Sequence, residues 1–367
     1  MKFDYTEYQF KDLANFRYGK MPNKKKISPN GSYPVYSGYR YVGYYDEYNV
    51  EPKQLIVVAR GVGGTGDVKI TKEKCYLTNL SIAVDITDTN KVIPEYLYYL
   101  FTLNNLRYLD SGSAQSQITI TDLEKVCIKL PNISIQHKIV DMLLSLDDKI
   151  ENNNAINKNL EEQAQAIYNE IFVNRTYSNL REGTLSEIAD ITMGQSPKGD
   201  TYNEIGDGTV FYQGRAEFGF RFPTQRLFTT EPKRMAQEND VLMSVRAPVG
   251  DINVARESCC IGRGLAAIHS KFDCQSFILY TMFNLREKID VFNGEGTVFG
   301  SINRDALNSL PVDIPPAELI ERFEKNVSPL DLSIRTYHEE ICRLEVIRDT
   351  LLPRLMSGEI DISNIEL

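Results

Sequence analysis

The sequence predicts an α+β protein made of two tandem, similar α/β domains, each followed by a long helix, with the two helices paired as an antiparallel coiled coil. Three observations carry this expectation. Leu143, Leu146, Ile150, Asn153, Asn157, Leu160, Ala164, Ile167 and Ile171 follow one another at steps of three and four, the heptad spacing of one long helix from Ile135 to Phe172. Val327, Leu330, Ile334, Tyr337, Ile341, Leu344, Leu351 and Leu355 repeat that seam 184 residues later, and Leu146-Asp147-Asp148-Lys149-Ile150 returns as Leu330-Asp331-Leu332-Ser333-Ile334. The segments ahead of the helices repeat as well. The chain therefore divides into a first domain at 1–130, a helix at 131–174, a second domain at 175–315, and a second helix with a C-terminal tail at 316–367.

Taken in order, the first domain opens with Leu13-Ala14-Asn15-Phe16-Arg17-Tyr18-Gly19-Lys20-Met21-Pro22, and the second with Ile188-Ala189-Asp190-Ile191-Thr192-Met193-Gly194-Gln195-Ser196-Pro197, one shared frame. Lys24-Lys25-Lys26 leads into a Tyr- and Gly-rich stretch, Tyr33, Tyr36, Tyr39, Tyr41, Tyr44, Tyr45 and Tyr48, which reads as short strands and hairpins. Aromatics there suit stacking on bases or sugars, and amphipathic tyrosine on a half-exposed sheet accounts for most of them more simply.

Leu55-Ile56-Val57-Val58-Ala59 is a buried strand by its apolar run, and it enters Arg60-Gly61-Val62-Gly63-Gly64-Thr65-Gly66-Asp67. This literal G-x-G-x-x-G lacks the helix a dinucleotide loop requires, because Val68-Lys69-Ile70-Thr71 reads as strand, and no His-Arg-Asp accompanies it for a kinase. The second copy, Leu242-Met243-Ser244-Val245-Arg246-Ala247-Pro248-Val249-Gly250-Asp251, keeps strand, Arg and Gly-Asp and discards the glycines. An Arg at a strand end on a tight turn suits a nucleic-acid backbone or groove, and a plain hairpin turn fits the spacing equally well.

Each half then runs through a strand and a helix, Leu80–Val84 and Pro94–Phe101 in the first, Gly264–Ile268 and Ser276–Phe283 in the second. A polar loop follows, Gly112-Ser113-Ala114-Gln115-Ser116-Gln117-Ile118 or Gly296-Thr297-Val298-Phe299-Gly300-Ser301-Ile302, again 184 residues apart. Pro131 and Pro315 precede the long helices as start signals, and Pro329 is expected to interrupt the second helix after Ser328. Phe292-Asn293-Gly294-Glu295-Gly296 imitates an adenosylmethionine pocket, but no Asn/Asp-Pro-Pro-Tyr/Phe motif exists to complete a methyltransferase.

The 367 residues suffice for two ordinary cores, and 42% apolar with 25% charged residues is a soluble globular composition. Without a leader-like start or an apolar run long enough for a membrane span, a cytoplasmic location is expected. Six cysteines without a C-x-x-C pair and three scattered histidines argue against a zinc site, so neither metal nor cofactor is expected. The net charge of -9 resides in the helices: 131–172 carry -4 and 316–367 carry -5, while the two domains cancel at +3 and -3. An acidic total therefore leaves room for DNA binding.

At this point the sequence resembles the specificity (S) subunit of Type I restriction-modification enzymes. The resemblance covers nearly the whole chain: tandem domains, a Leu-Asp-x-x-Ile helix start in both copies, Gly-Ser-x-Gln-x-x-Ile at 112–118, Phe211-Tyr212-Gln213-Gly214-Arg215-Ala216-Glu217-Phe218, and the ending Leu351-Leu352-Pro353-Arg354-Leu355-Met356-Ser357-Gly358-Glu359-Ile360-Asp361. The second loop departs from the Gly-Ser-x-Gln pattern. What the resemblance implies is a non-catalytic reader of double-stranded DNA that recognises a bipartite site with its two domains and recruits two methyltransferase (M) subunits and, through them, restriction/translocase (R) subunits.

Side-chain chemistry nominates Lys24, Lys25, Lys26, Arg60, Gly63, Gly64, Gln115, Ser116 and Gln117 in the first domain, and Gln213, Arg215, Arg246 and Arg304 in the second, since Arg and Gln address base edges bidentately and Lys serves phosphates. Antiparallel pairing about Asn153 and Tyr337 places facing residues at numbers summing to about 490, so that Leu146 lies near Leu344, Leu160 near Leu330 and Ile167 near Phe323. The alternatives are a coiled-coil scaffold bearing two heads that bind something other than DNA, and a part of a fused DNA methyltransferase or nuclease.

Overall fold

The computed structural model describes residues 3–38, 40–61, 64–110, 116–174, 180–294 and 300–362. The chain forms two compact units, one of residues 1–153 with 340–367 and one of residues 154–339. Each unit thus contains one domain together with a segment of each long helix.

In the first unit an antiparallel sheet runs in the order Ala14–Tyr18, Ser81–Ile86, Leu55–Val58, Val68–Ile70. Its central strand is apolar throughout because both faces are buried. Leu55 and Val57 share a core with Ile82, Val84 and the Tyr96 and Leu97 side chains of the helix Pro94–Leu103, whereas Ile56 and Ala83 join Val50, Cys75 and Leu77 in a second cluster. A smaller sheet, Arg40–Tyr45, Tyr33–Ser37, Tyr76–Leu77, has a parallel final pair, and Thr6–Gln9 pairs with Cys127–Leu130.

The second unit repeats this plan: Ala189–Met193, Leu265–Ser270, Val241–Ser244, Ile252–Val254 in one sheet, a second sheet with a parallel pair between Thr209–Tyr212 and Cys259–Ile261, and Arg181–Thr184 paired with Pro311–Ile314. The side-chain alternation repeats too, with Val241 and Met243 in one cluster and Leu242 in the other. A Cβ on Gly19 would stand 2.3 Å from the Leu77 carbonyl oxygen, and one on Gly194 2.2 Å from that of Gly262, which accounts for the glycine in the shared opening frame.

The long helices span Ile133–Tyr168, continuing as a π turn at Asn169–Val173, and Ala317–Met356. Asn132 caps the first, its Oδ1 accepting from the Ile135 N–H at 3.0 Å. Antiparallel pairing is visible inside each unit. In the first, Ile135, Ile139 and Leu143 share a cluster with Leu352, Leu355 and Met356, while Lys149 Nζ lies 3.6 Å from Glu340. In the second, Ala164 and Tyr168 lie in one cluster with Phe323, Val327 and Ile334, against which Leu160, Ile167 and Leu330 pack, and the Tyr168 and Phe323 rings are 5.7 Å apart. The expected companions Leu160 with Leu330, and Ile167 with Phe323, therefore share a cluster.

One expectation needs correction. Pro329 does not interrupt the second helix, which runs unbroken from Ala317 to Met356; the residue is exposed, and its own carbonyl still accepts from Ser333 Oγ at 2.8 Å. The antiparallel pairing stands as expected and extends into the domains. Near their ends the helices enter the domain cores, where Tyr168 and Phe172 pack against Phe277 of the second domain. No described helix is long and apolar enough to cross a membrane.

Candidate nucleic-acid interface

In each domain the central strand runs out into an arginine whose backbone is pinned by the segment after the polar loop. Arg60 forms an isolated bridge with Gln117, and the Ile118 N–H donates to the Ala59 carbonyl at 2.9 Å. Arg246 forms the matching bridge with Ser301, and the Ile302 N–H donates to the Val245 carbonyl at 3.1 Å. The turn then reverses through Gly66-Asp67 or Gly250-Asp251. Gly66 has φ +93° and Gly250 φ +90°, a region that side chains resist, and an added Cβ would meet Arg107 N at 2.5 Å or Ile289 Cγ2 at 2.6 Å. The shared Gly-Asp is thus a turn requirement.

The Asp of this turn ties it to the helical layer behind. Asp67 Oδ1 accepts from Asn105 Nδ2 at 2.9 Å, and Asp251 Oδ1 from Arg286 Nη1 at 2.9 Å. Asp110 secures the other side of the first site by accepting from the Gln117 N–H at 2.8 Å and from Ser116 Oγ. Among the described residues no carboxylate pairs with Arg60, Arg246 or Arg304, and Arg60 Nε is buried without an acceptor. Arg246 is exposed, as is Arg304 in the first turn of a short helix capped by Asn303. Arg60 and Arg246 are thus cations on backbone-bridged turns with no carboxylate partner among the described residues, an arrangement open to an approaching polyanion.

The remaining nominated residues are scattered. Lys24, Lys25 and Lys26 form an exposed 3₁₀ turn capped by Asn23, attached through the Ser28–Tyr44 bridge to the smaller sheet rather than to the strand that ends in Arg60. On that sheet Tyr41 is half exposed and stacks edge-on with Tyr44 at 5.4 Å, whereas Tyr45 and Tyr76 are buried against each other. Gly64 lies in the turn; Tyr39, Gly63, Gln115 and the segment Glu295 to Phe299 lie outside the described residues. Gln213 is exposed, and Arg215 is bonded to Asp251. Sequence reasoning missed Arg286, which shares Asp251 with Arg215 from 35 residues further along, because no local spacing signals such a contact.

It also missed the anchors of the helices. Asp147 accepts from Tyr99 Oη at 2.6 Å and from Arg348 at 2.9 Å; its repeat counterpart Asp331 accepts from Tyr280 Oη at 2.9 Å and lies 3.5 Å from Arg221. Arg221 is 2% exposed and also pairs with Glu161 at 3.1 Å. Burial pushes the Asp331 and Glu161 carboxyls upward while Arg221 opposes the shift. All six cysteines are free thiols, and no group of metal-ligating side chains occurs among the described residues.

The fold and these turns define a tandem-repeat protein that carries two equivalent arginine turns on domains joined through antiparallel helices. The model of the Type I restriction modification DNA specificity domain matches this chain twice, over residues 3–162 and 177–340, and the chain belongs to that family. It is 31% identical over 318 residues, 79% of this chain and 74% of the other, to a Methanocaldococcus jannaschii protein provisionally named the MjaX specificity subunit of a type I restriction enzyme. A Mycoplasma genitalium protein provisionally named as a type I specificity subunit is 24% identical over 376 residues, 96% of this chain and 94% of the other. The crystal structure of a type I restriction-modification S subunit from M. genitalium shares the fold, with a TM-score of 0.71 at 21% identity and 96% coverage of both chains.

Proposed function

We propose that the chain is the non-catalytic specificity subunit of a Type I restriction-modification enzyme, working on double-stranded DNA in the cytoplasm. Its domains at 1–130 and 175–315 each read one part of a bipartite site, and its paired helices recruit two methyltransferase subunits and, through them, restriction subunits. The observation that carries this reading is the repetition of one backbone-pinned arginine turn, Arg60 in one domain and Arg246 in the other, neither of which pairs with a carboxylate among the described residues. Two similar readers on a pseudo-symmetric frame match two half-sites separated by a spacer, as dimeric DNA-binding proteins do. The acidic excess of the helical segments keeps like charge off the duplex and favours protein partners there. The test is a gel shift with and without the methyltransferase subunit, joined to genome-wide mapping of N6-methyladenine in cells expressing both. One bipartite motif with a fixed spacer is expected. Methylation without a motif, or none that depends on this chain, would refute the reading.

A further inference from the structure

Arg215 opens a short turn, Arg215–Glu217, closed by the Phe218 N–H donating to its carbonyl at 3.0 Å. Its Nε lies 2.5 Å from Asp251 Oδ2. The other oxygen of Asp251 accepts from Arg286 Nη1 at 2.9 Å, and that same nitrogen donates to the Gly250 carbonyl at 2.7 Å while Arg286 Nε holds Asp290 at 2.9 Å. Asp251 is fixed in turn, its N–H donating to Ser244 Oγ at 2.9 Å in the turn that Gly250 shapes. Arg215, Gly250, Asp251 and Arg286 border an open cleft of about 420 Å³ that Phe218, Asn253 and Phe283 also line.

We propose that this cleft is a guanine-reading site for the half-site addressed by the second domain, with Arg215 as the reading fork and Asp251 as the positioning residue that Arg286 holds. The proposal rests on the DNA-reading function above. Arg215 is half exposed; its Nε faces Asp251 Oδ2, and neither Nη has a partner among the described residues, so the N–H donors of both terminal nitrogens are free and can present an end-on fork. That fork matches the O6 and N7 acceptors that guanine presents in the major groove. A guanidinium held beside a carboxylate by an ion pair loses less rotamer freedom when it meets a base than a free one does. Asp251 is shared between two arginines, and with Asp290 on Arg286 the four groups are formally neutral, so what the cleft offers DNA is the free Arg215 Nη donors and not a net charge. A phosphate placed there would be repelled by the Asp251 carboxylate with no net positive charge to hold it, whereas an uncharged base edge carries no such net repulsion.

The experiment compares wild type, Arg215→Lys and Asp251→Asn, each in complex with the methyltransferase subunit, by mapping the methylated motif and by competition binding to duplexes substituted base by base. Arg215→Lys keeps the charge and loses the fork; preference for guanine at one position of one half-site is expected to fall about 5- to 150-fold, with the other positions unchanged. Asp251→Asn keeps an oxygen that can accept from Arg286 and is expected to relax the same position by a smaller factor, with a modest drop in thermal midpoint. If Asp251→Asn fails to fold, Arg215→Lys alone decides. A uniform loss of affinity across all duplexes with the motif intact would mark a phosphate contact and overturn the proposal, as would an unchanged motif in both variants. A wild-type complex without any sequence preference would overturn the DNA-reading function itself, and this site with it.

Discussion

Arg221 is the most deeply buried cation of the second unit, and its single occupied edge holds three partners. Nη2 lies 3.0 Å from Tyr280 Oη, 3.1 Å from Glu161 and 3.5 Å from Asp331, while Nε, Nη1 and Asp331 Oδ2 are buried without partners. A cluster satisfied on one side only has no stability in reserve, and removing one member leaves the others charged in a dry site. Arg221→Met is therefore expected to cost about 3–5 kcal/mol at neutral pH, read by urea unfolding. The pH dependence has a definite sign. Burial already raises both carboxyls and Arg221 opposes that shift, so its loss raises them further. Below the raised values they take up protons and become neutral, and the deficit shrinks; it grows again as pH rises through them toward neutrality. A deficit that stayed constant from the carboxylate range to pH 7 would show that Arg221 acts through packing and not through charge. The sequence displayed only part of this cluster. The Leu-Asp repeat was plain because it recurs along one helix, but Asp331 meets Tyr280 and Arg221 across 51 and 110 residues, and such contacts follow from tertiary packing that no local spacing encodes.

At the level of the helix pair, the seam was legible because heptad spacing follows directly from 3.6 residues per turn. Its buried positions Leu143, Ile150, Asn153, Asn157 and Ala164 on one helix, and Val327, Ile334 and Ile341 on the other, are those the spacing nominated. What spacing could not show is where the seam gives way to domain core: the heptad nominated Ile167 and Ile171, whereas Tyr168 and Phe172 beside them are the buried residues of the core that Phe323 shares. Pro329 was misread for a related reason: a missing N–H disrupts an isolated helix, but here packing of Val327 and Ile334 on either side keeps the segment helical. The seam asparagines are costly. Asn153 is fully buried and gives Nδ2 to Glu340 at 2.9 Å, yet its Oδ1 has no donor, and Asn157 Oδ1 has none either. Polar seam residues of this kind are kept for register rather than stability. Asn157→Leu is expected to raise unfolding free energy by about 1 kcal/mol, because it removes an unsatisfied acceptor at similar volume, and to loosen the specificity of pairing, visible as added oligomers in light scattering. A destabilised, uniquely monomeric variant would show that Asn157 is satisfied in solution and is no register device.

For the whole molecule, the repeat was the strongest signal in the sequence, and the tandem plan follows from it: one strand order, one parallel pair and one arginine turn in each unit. The partners and the spacing of the DNA site belong to function, and the helices offer a way to test them. The seam from Ile135 to Phe172 covers 38 residues, about 57 Å at 1.5 Å per residue, long enough to hold two readers on separate parts of one duplex. If the helices set the distance between half-sites, length added to both must appear in the DNA. One heptad inserted after Ala155 and another after Arg335 enter facing turns of an antiparallel pair and preserve the seam. They add about 10 Å, at most some three base pairs at 3.4 Å each. Three base pairs also turn the far half-site by roughly 100° at about 10.5 per turn, a rotation the methyltransferase subunits must absorb. The expected outcome is a methylated motif with a longer spacer and unchanged half-sites, or loss of methylation with both half-sites still bound. Full-rate methylation of the original motif at its original spacer would mean that the domains or the methyltransferase subunits set the distance, because a rod that grows without consequence is not measuring anything.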